Sequence, residues 1–252
     1  MKIQLGEPVA GQNCTLEIFQ APGSDPRGAV IVFPGGAYSG LAAHESEPVA
    51  RKFVELGFQT ALCRYRVAPA IYPTPLEDAR NAVRYVREHA AELRIKPDKI
   101  AVLGFSAGGH LAAMVSNMPG AAVSRPDASI LCYAVLSCLA GGKRAHVGSY
   151  RNLFGNDLAP EAYRDFCWPE RVNADTPPAF LWHTMEDEGV PAEQSLEYAM
   201  ALQKAGIPYS LHIFTHGVHG LSINNRPGYE GKFPEISAWP ELCAEWLRTM
   251  GW

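Results

Sequence analysis

Short apolar, β-branched runs bounded by glycine or proline recur along this chain, separated by stretches of helical periodicity. This alternation restricts the architecture more than any other feature of the sequence. Gly28–Phe33 (GAVIVF), Phe58–Cys63 (FQTALC), Lys99–Phe105 (KIAVLGF), Ser129–Val135 (SILCYAV), Ala179–His183 (AFLWH) and Tyr209–Phe214 (YSLHIF) read as strands. Glu47–Leu56, Leu76–Leu93, Ser106–Met118, Ala192–Ala205 and Pro240–Met250 read as helices, with Pro73, Pro75, Pro97, Pro191 and Pro208 marking boundaries. Strands and helices in turn predict an α/β fold: a mostly parallel central sheet with helices on both faces. Cys14–Gln20 (CTLEIFQ) alternates instead, as a half-buried antiparallel strand does. The sheet is therefore expected to begin antiparallel and continue parallel, with about eight strands in all.

The 252 residues, 47% of them hydrophobic, suffice for one large core, and no linker or repeat divides them, so residues 1–252 read as a single domain. Residues 137–178 are the exception. They are rich in glycine, aromatic and charged residues without clear periodicity, too long for a passive connection, and are expected to be an insertion covering part of a site.

A net charge of -4, with no run of Lys and Arg, gives no general attraction to nucleic acid or anionic lipid, and neither partner is expected. The segment Met1 to Pro8 lacks the basic start and apolar block of a signal peptide, and no apolar stretch is long enough to span a bilayer. A soluble, cytoplasmic protein is the expectation, with self-association left open. Cys14, Cys63, Cys132, Cys138, Cys167 and Cys243 form no C-x-x-C pair and read as buried free thiols. His212, His216 and His219 lie close together, but no zinc-type spacing is present, so neither a metal nor another cofactor is expected.

Gly104-Phe105-Ser106-Ala107-Gly108 fits G-x-S-x-G where a strand ends and a helix begins. A nucleophile held there sits on a strained turn that needs small neighbours, and it lies in the positive field of a helix N-terminus. Pro34-Gly35-Gly36-Ala37-Tyr38 follows an earlier strand. The N–H groups of Gly36 or Ala37, together with that of Ala107, are candidate donors to the oxyanion of a tetrahedral intermediate.

An acid and a histidine should then follow two late strands. Glu186, Asp187 and Glu188 lie after Ala179–His183, and His219 lies between Gly217 and Gly220 after Tyr209–Phe214. Composition does not separate the three carboxylates; a short Asp four residues before Pro191 suits a rigid loop, which favours Asp187. His219 would take the Ser106 proton and return it to the leaving group, while the carboxylate fixes its tautomer. His216 reads as a solvated loop residue, His183 as a core histidine with its bonds satisfied, and His110, one turn beyond Ser106, as packed against the sheet.

These residues resemble a family, the α/β-hydrolases of the acetyl-esterase and acetyl-xylan-esterase-like group, related to hormone-sensitive-lipase-type esterases. The resemblance extends to His44-Glu45, Cys63 to Pro69, Pro75 to Ala79 and Lys99 to Ala112. It implies the α/β-hydrolase fold, Ser106, Asp187 and His219 as catalytic triad, and the Gly36, Ala37 and Ala107 amides as oxyanion hole. The wider group often has His before the glycines and a third glycine after them; here Pro34 and Ala37 stand there, so the orientation supplied by that His must come from elsewhere.

The implied activity is hydrolysis of a short-chain ester, acetyl first, on a small molecule such as an O-acetylated sugar or xylo-oligosaccharide. Tyr38, Phe154 and Trp168, with Tyr150 and Phe166, are candidate faces for a sugar ring; the plainer reading is that most of them form a small core of the insertion. Formamidase or other amide cleavage by the same triad, and a catalytically silent ligand-binding relative, are the alternatives.

Overall fold

Period-two alternation in which both phases are apolar buries a strand on both faces. In β3 (Arg27–Phe33), Ala29, Ile31 and Phe33 pack into one hydrophobic layer while Val30 and Val32 pack into the other. The same division runs through β5 (Ile95–Phe105), β6 (Ala128–Cys132) and β7 (Ala179–Thr184). One layer is completed by α2 (Thr74–Glu88), α3 (Ala107–Asn117) and α5 (Glu193–Ala205), the other by α1 (Glu47–Glu55) and α6 (Trp239–Thr249). The computed structural model describes residues 1–137, 146–156 and 160–252.

With β1 (Lys2–Val9), β2 (Gln12–Phe19), β4 (Gln59–Arg64) and β8 (Tyr209–Phe214), the sheet has eight strands in the order β1-β2-β4-β3-β5-β6-β7-β8. β1 and β2 are antiparallel to their neighbours, and every pair from β4 to β8 is parallel. This is the mixed sheet with an antiparallel start that the sequence predicts. β1 is an addition to the six runs and Cys14–Gln20: it buries only Leu5, so it carries no alternating signal.

A buried ion pair joins the end of β4 to α2. Arg66 reaches Asp78 through Nε at 3.0 Å and also through Nη2, and both residues are almost fully enclosed. Among the described residues, no helix is long and apolar enough to cross a membrane. Cys14, Cys63, Cys132 and Cys243 are buried free thiols, Cys167 is buried, and Cys138 lies outside the described residues.

The 137–178 stretch contains a helix that its sequence pattern does not announce, α4 (Val147–Phe154), which buries Ser149, Tyr150 and Leu153 and ends at Gly155 in the left-handed conformation. Residues 138–145 and 157–159 of this stretch lie outside the described residues.

Candidate active site

The turn between β5 and α3 holds Ser106 at φ 51° and ψ -116°, a backbone region that non-glycine residues rarely occupy. The bend closes so tightly that a Cβ on Gly104 would lie 2.1 Å from the Gly108 carbonyl oxygen, and one on Gly108 would lie 2.1 Å from that of Phe33. The turn is anchored to the neighbouring strand by Ser106 N–H donating to Cys132 O at 3.0 Å and Val135 N–H donating to Ser106 O at 3.1 Å. The serine is 7% exposed, with its hydroxyl at the floor of a cleft.

His219 stands on the loop after β8, and its Nε2 is 2.8 Å from Ser106 Oγ. Its Nδ1 is 2.7 Å from Asp187 Oδ2. The other carboxylate oxygen, Oδ1, accepts the N–H groups of Gly189 at 2.9 Å and Val190 at 2.8 Å. Burial by itself would raise the Asp187 carboxyl. Hydrogen bonding with His183 and His219 outweighs it and holds the group well below the usual carboxylate range. A carboxylate behind the imidazole, with the serine in front, can draw the hydroxyl proton onto Nε2.

The acid loop separates its three carboxylates by direction. Asp187 is buried, whereas Glu186 and Glu188 are exposed. Glu186 accepts from His216 Nδ1 at 2.8 Å and from Gly217 N–H at 3.1 Å, and so braces the His219 loop from the solvent side. His183 is enclosed, with Nδ1 on Ser195 Oγ at 2.9 Å and Nε2 on Val190 O at 2.8 Å. His110 is likewise buried and bonded to Tyr38 Oη at 2.8 Å; burial pushes its imidazole down to about 3.

Above Ser106, the loop after β3 turns through left-handed conformations at Ala37 and Tyr38, with φ of 55° and 56°. Among the described residues, the amides of Gly36, Ala37 and Ala107 donate to no protein acceptor, which leaves them able to bind an anionic oxygen. What orients this loop in the absence of the family's histidine is a set of residues to which the sequence reading gave no role. Glu45, buried, accepts Gly35 N–H on Oε2 at 2.7 Å and the Tyr133 hydroxyl on Oε1 at 2.7 Å. Tyr65 donates to Pro34 O at 2.7 Å, and Asn152 of α4 donates to Ala37 O at 2.8 Å. The Tyr133 hydroxyl also accepts Ser222 N–H at 2.9 Å, so one buried network joins the loop after β3 to the segment beyond His219.

The cleft over Ser106 has a volume of about 300 Å³ and is lined by Gly36, Ala37, His146, His219 and Arg226, among others. Among the described lining residues no aliphatic or aromatic carbon side chain exceeds alanine. His146 and Arg226 were not marked by any motif. His146 lies in the aperiodic 137–178 stretch, and Arg226 in a loop of turn residues.

The aromatic candidates are placed differently from the sugar-binding expectation. Tyr38 and Trp168 are fully buried and Phe154 is half-buried, all within one ring cluster. Tyr38 packs on Tyr65 and His110, Trp168 on His110 and Phe166, and Phe154 on Tyr72 and Phe166. Tyr38 and Trp168 are enclosed because Tyr150 of α4 and the turn at Trp168–Glu170 pack on His110 of α3 and form a core there. Among the described residues, no three His, Cys, Asp or Glu side chains are grouped as a metal site requires.

Comparison with known proteins agrees with this geometry. The model of the prolyl oligopeptidase family matches residues 74–233, and the BD-FAE model matches residues 16–123. The acetyl ester-xyloside bifunctional hydrolase of Caldicellulosiruptor lactoaceticus superimposes with a TM-score of 0.86 at 39% identity, covering 98% of this chain and 92% of that one. An acetylxylan esterase of Xylanibacter ruminicola is 32% identical over 205 residues, 79% of this chain and 42% of its own length. An endo-1,4-beta-xylanase B of Butyrivibrio fibrisolvens is 33% identical over 219 residues, 81% of this chain and 34% of its own length. The chain thus spans between a third and a half of these two curated relatives. Sheet order, strained serine turn and similarity across nearly the whole length place the chain in one family: it belongs to the α/β-hydrolases, in the acetyl-esterase and acetyl-xylan-esterase-like group of ester hydrolases.

Proposed function

We propose that this protein hydrolyses short-chain carboxylic esters, acetyl esters first, through an acyl-enzyme on Ser106. The observation that carries the reading is the unbroken relay from Asp187 Oδ2 through His219 to Ser106 Oγ, with links of 2.7 and 2.8 Å, opening into the cleft. His219 takes the hydroxyl proton as Ser106 attacks the acyl carbon, then gives it to the departing alcohol; a water repeats the sequence to release the acid. The Gly36, Ala37 and Ala107 amides receive the developing oxyanion, each donor being worth about 3 kcal/mol in such a site.

The cleft lining supports a short acyl group. A long chain would need an apolar channel, and the described lining supplies only alanine methyls. An O-acetylated sugar or xylo-oligosaccharide is the natural class of substrate, supported by the named activities of the Caldicellulosiruptor and Xylanibacter relatives. The similarity to the prolyl oligopeptidase family favours a second reading, amide cleavage by the same residues.

Rates on aryl acetate, butyrate and octanoate, beside an acetylated xylo-oligosaccharide, an N-formyl arylamine and a peptide anilide, test both. Activity should fall steeply beyond butyrate and be far higher on esters than on amides, and Ser106→Ala should remove it while the far-UV spectrum stays unchanged. A flat chain-length profile, a preference for the amides, or turnover by Ser106→Ala would overturn the ester reading.

A further inference from the structure

Arg226 brings to the cleft a positive charge that, among the described residues, is paired with no carboxylate. It lines the same cavity as Ser106 and His219, and its Nη1 donates to the backbone carbonyl of His219. Its guanidinium lies over the Tyr229 ring, 4.9 Å from the centroid. That ring is itself stacked on Phe233. Among the described residues Arg226 has no salt bridge. The fork is therefore held in place by stacking and one hydrogen bond, with most of its five N–H donors left for a ligand.

None of the other described ionisable groups at the cleft is paired with this charge. His44 bonds Gly220 O through Nε2 at 2.9 Å, and His146 bonds Ser149 Oγ through Nδ1 at 2.9 Å. The one carboxylate among the described lining residues, Glu45, has each oxygen hydrogen-bonded to a buried donor. Asp187 lies behind the His219 ring, bonded to its Nδ1 while Nε2 faces Ser106.

We propose that the cleft selects esters whose alcohol portion carries a carboxylate, an O-acylated hydroxy acid or sugar acid, with Arg226 as the residue that recognises it. This rests on the ester-hydrolase reading above and adds the class of leaving group. Catalysis fixes which part of the ester Arg226 can meet. The departing alcohol must lie at His219, which hands it a proton, and Arg226 is anchored on that same residue. A planar carboxylate matches a planar fork through two parallel hydrogen bonds, and one monoanion balances one guanidinium.

The test is the ratio of kcat/KM for 3-acetoxybenzoate to that for its uncharged analogue 3-acetoxybenzamide, at about pH 7.5, where the benzoate carboxyl is ionised. The wild-type protein should prefer the anion roughly tenfold, the scale of one charge-assisted pair in a half-exposed site, with the difference in KM. Arg226→Gln should bring the ratio to about one, whatever its absolute rates, and Arg226→Lys should keep part of the preference. Raising the salt to about 0.5 M should shrink the wild-type ratio, a readout that needs no variant to fold. A wild-type ratio of one, or a preference that survives both Arg226→Gln and salt, overturns the proposal and leaves the esterase standing. Failure to hydrolyse either ester would bring down the esterase reading and this one with it.

Discussion

Replacing Asp187 by Asn changes one oxygen to an amide, and the structure allows the consequence to be worked for both orientations of that amide. If Nδ2 takes the place of Oδ2, it points an N–H at His219 Nδ1, now 2.7 Å from an oxygen. The ring must then accept there and carry its proton on Nε2, where it can no longer receive the Ser106 proton. If Nδ2 instead takes the place of Oδ1, it confronts the N–H groups of Gly189 and Val190, which now donate at 2.9 and 2.8 Å. The exposed Gly189 and the buried Val190 both lose their acceptor, the buried donor at about 1–3 kcal/mol, so the competent orientation is disfavoured by at least roughly five-fold to 150-fold. Neither orientation keeps the negative charge that stabilises an imidazolium. A loss of about two to four orders of magnitude in kcat/KM on an aryl acetate is expected, with the melting temperature as control for folding. Glu186→Gln, altering an exposed carboxylate paired with His216, should stay within about threefold of wild type. An Asp187→Asn enzyme within tenfold of wild type, or a Glu186→Gln enzyme equally impaired, would refute the assignment of the acid.

Asn152→Ala removes the side-chain amide that holds Ala37 O; kcat should fall about ten- to hundredfold with KM little changed, because the loop that offers the oxyanion donors is loosened. Stopped-assay kinetics on the same ester decide it, and a change confined to KM would count against a positioning role. His110 titrates near 3 when folded because it is buried, but near 6.5 when unfolded. The unfolded chain thus gains a proton that the folded one refuses; the stability linked to His110 is full above about pH 6.5 and drains as pH falls toward 3, by roughly 4–5 kcal/mol in total. Urea unfolding from pH 7 to 4 should show a shallower pH slope for His110→Leu than for wild type, and equal slopes would dismiss this account. Asp78→Ala, which leaves Arg66 buried without its partner, should cost about 3–5 kcal/mol in the same measurement. A loss under 1 kcal/mol would mean that the pair is not enclosed as described.

What could be read from the sequence follows from how locally each signal is written. The parallel strands were legible because a strand buried on both faces spells a continuous apolar run, as β3 does from Gly28 to Phe33. β1 buries Leu5 alone and was silent, although it pairs antiparallel with β2, with a register shift between Leu5 and Val9. Helix α4 escaped for a related reason: eight residues are too few to establish a period, and its rings pack on other aromatic rings of the same stretch.

At the site, the residues that stand together over the cleft were nameable because each sits at a strand end. The order of the sheet then carries Ser106, Asp187 and His219 to the same edge from β5, β7 and β8. Chain position and chemistry coincide there. For Glu45, Tyr133, Asn152, His146 and Arg226 they do not. A buried carboxylate that holds a glycine amide has the same letter as one facing water. Its meaning comes from the Tyr133 hydroxyl, 88 positions away in the chain, which binds its other oxygen. The histidine missing before Gly35 was a visible gap in the motif, and the parts that fill it come from three separate segments, Glu45, Tyr65 and Asn152. Motifs therefore located the groups that meet over the cleft, while the groups that position them, and the Arg226 cation in the cleft, become apparent only when the chain is folded. For that reason the Arg226 and Asn152 variants probe what the motif could not: they alter no motif residue, yet each should change which ester is accepted or how fast the oxyanion is met.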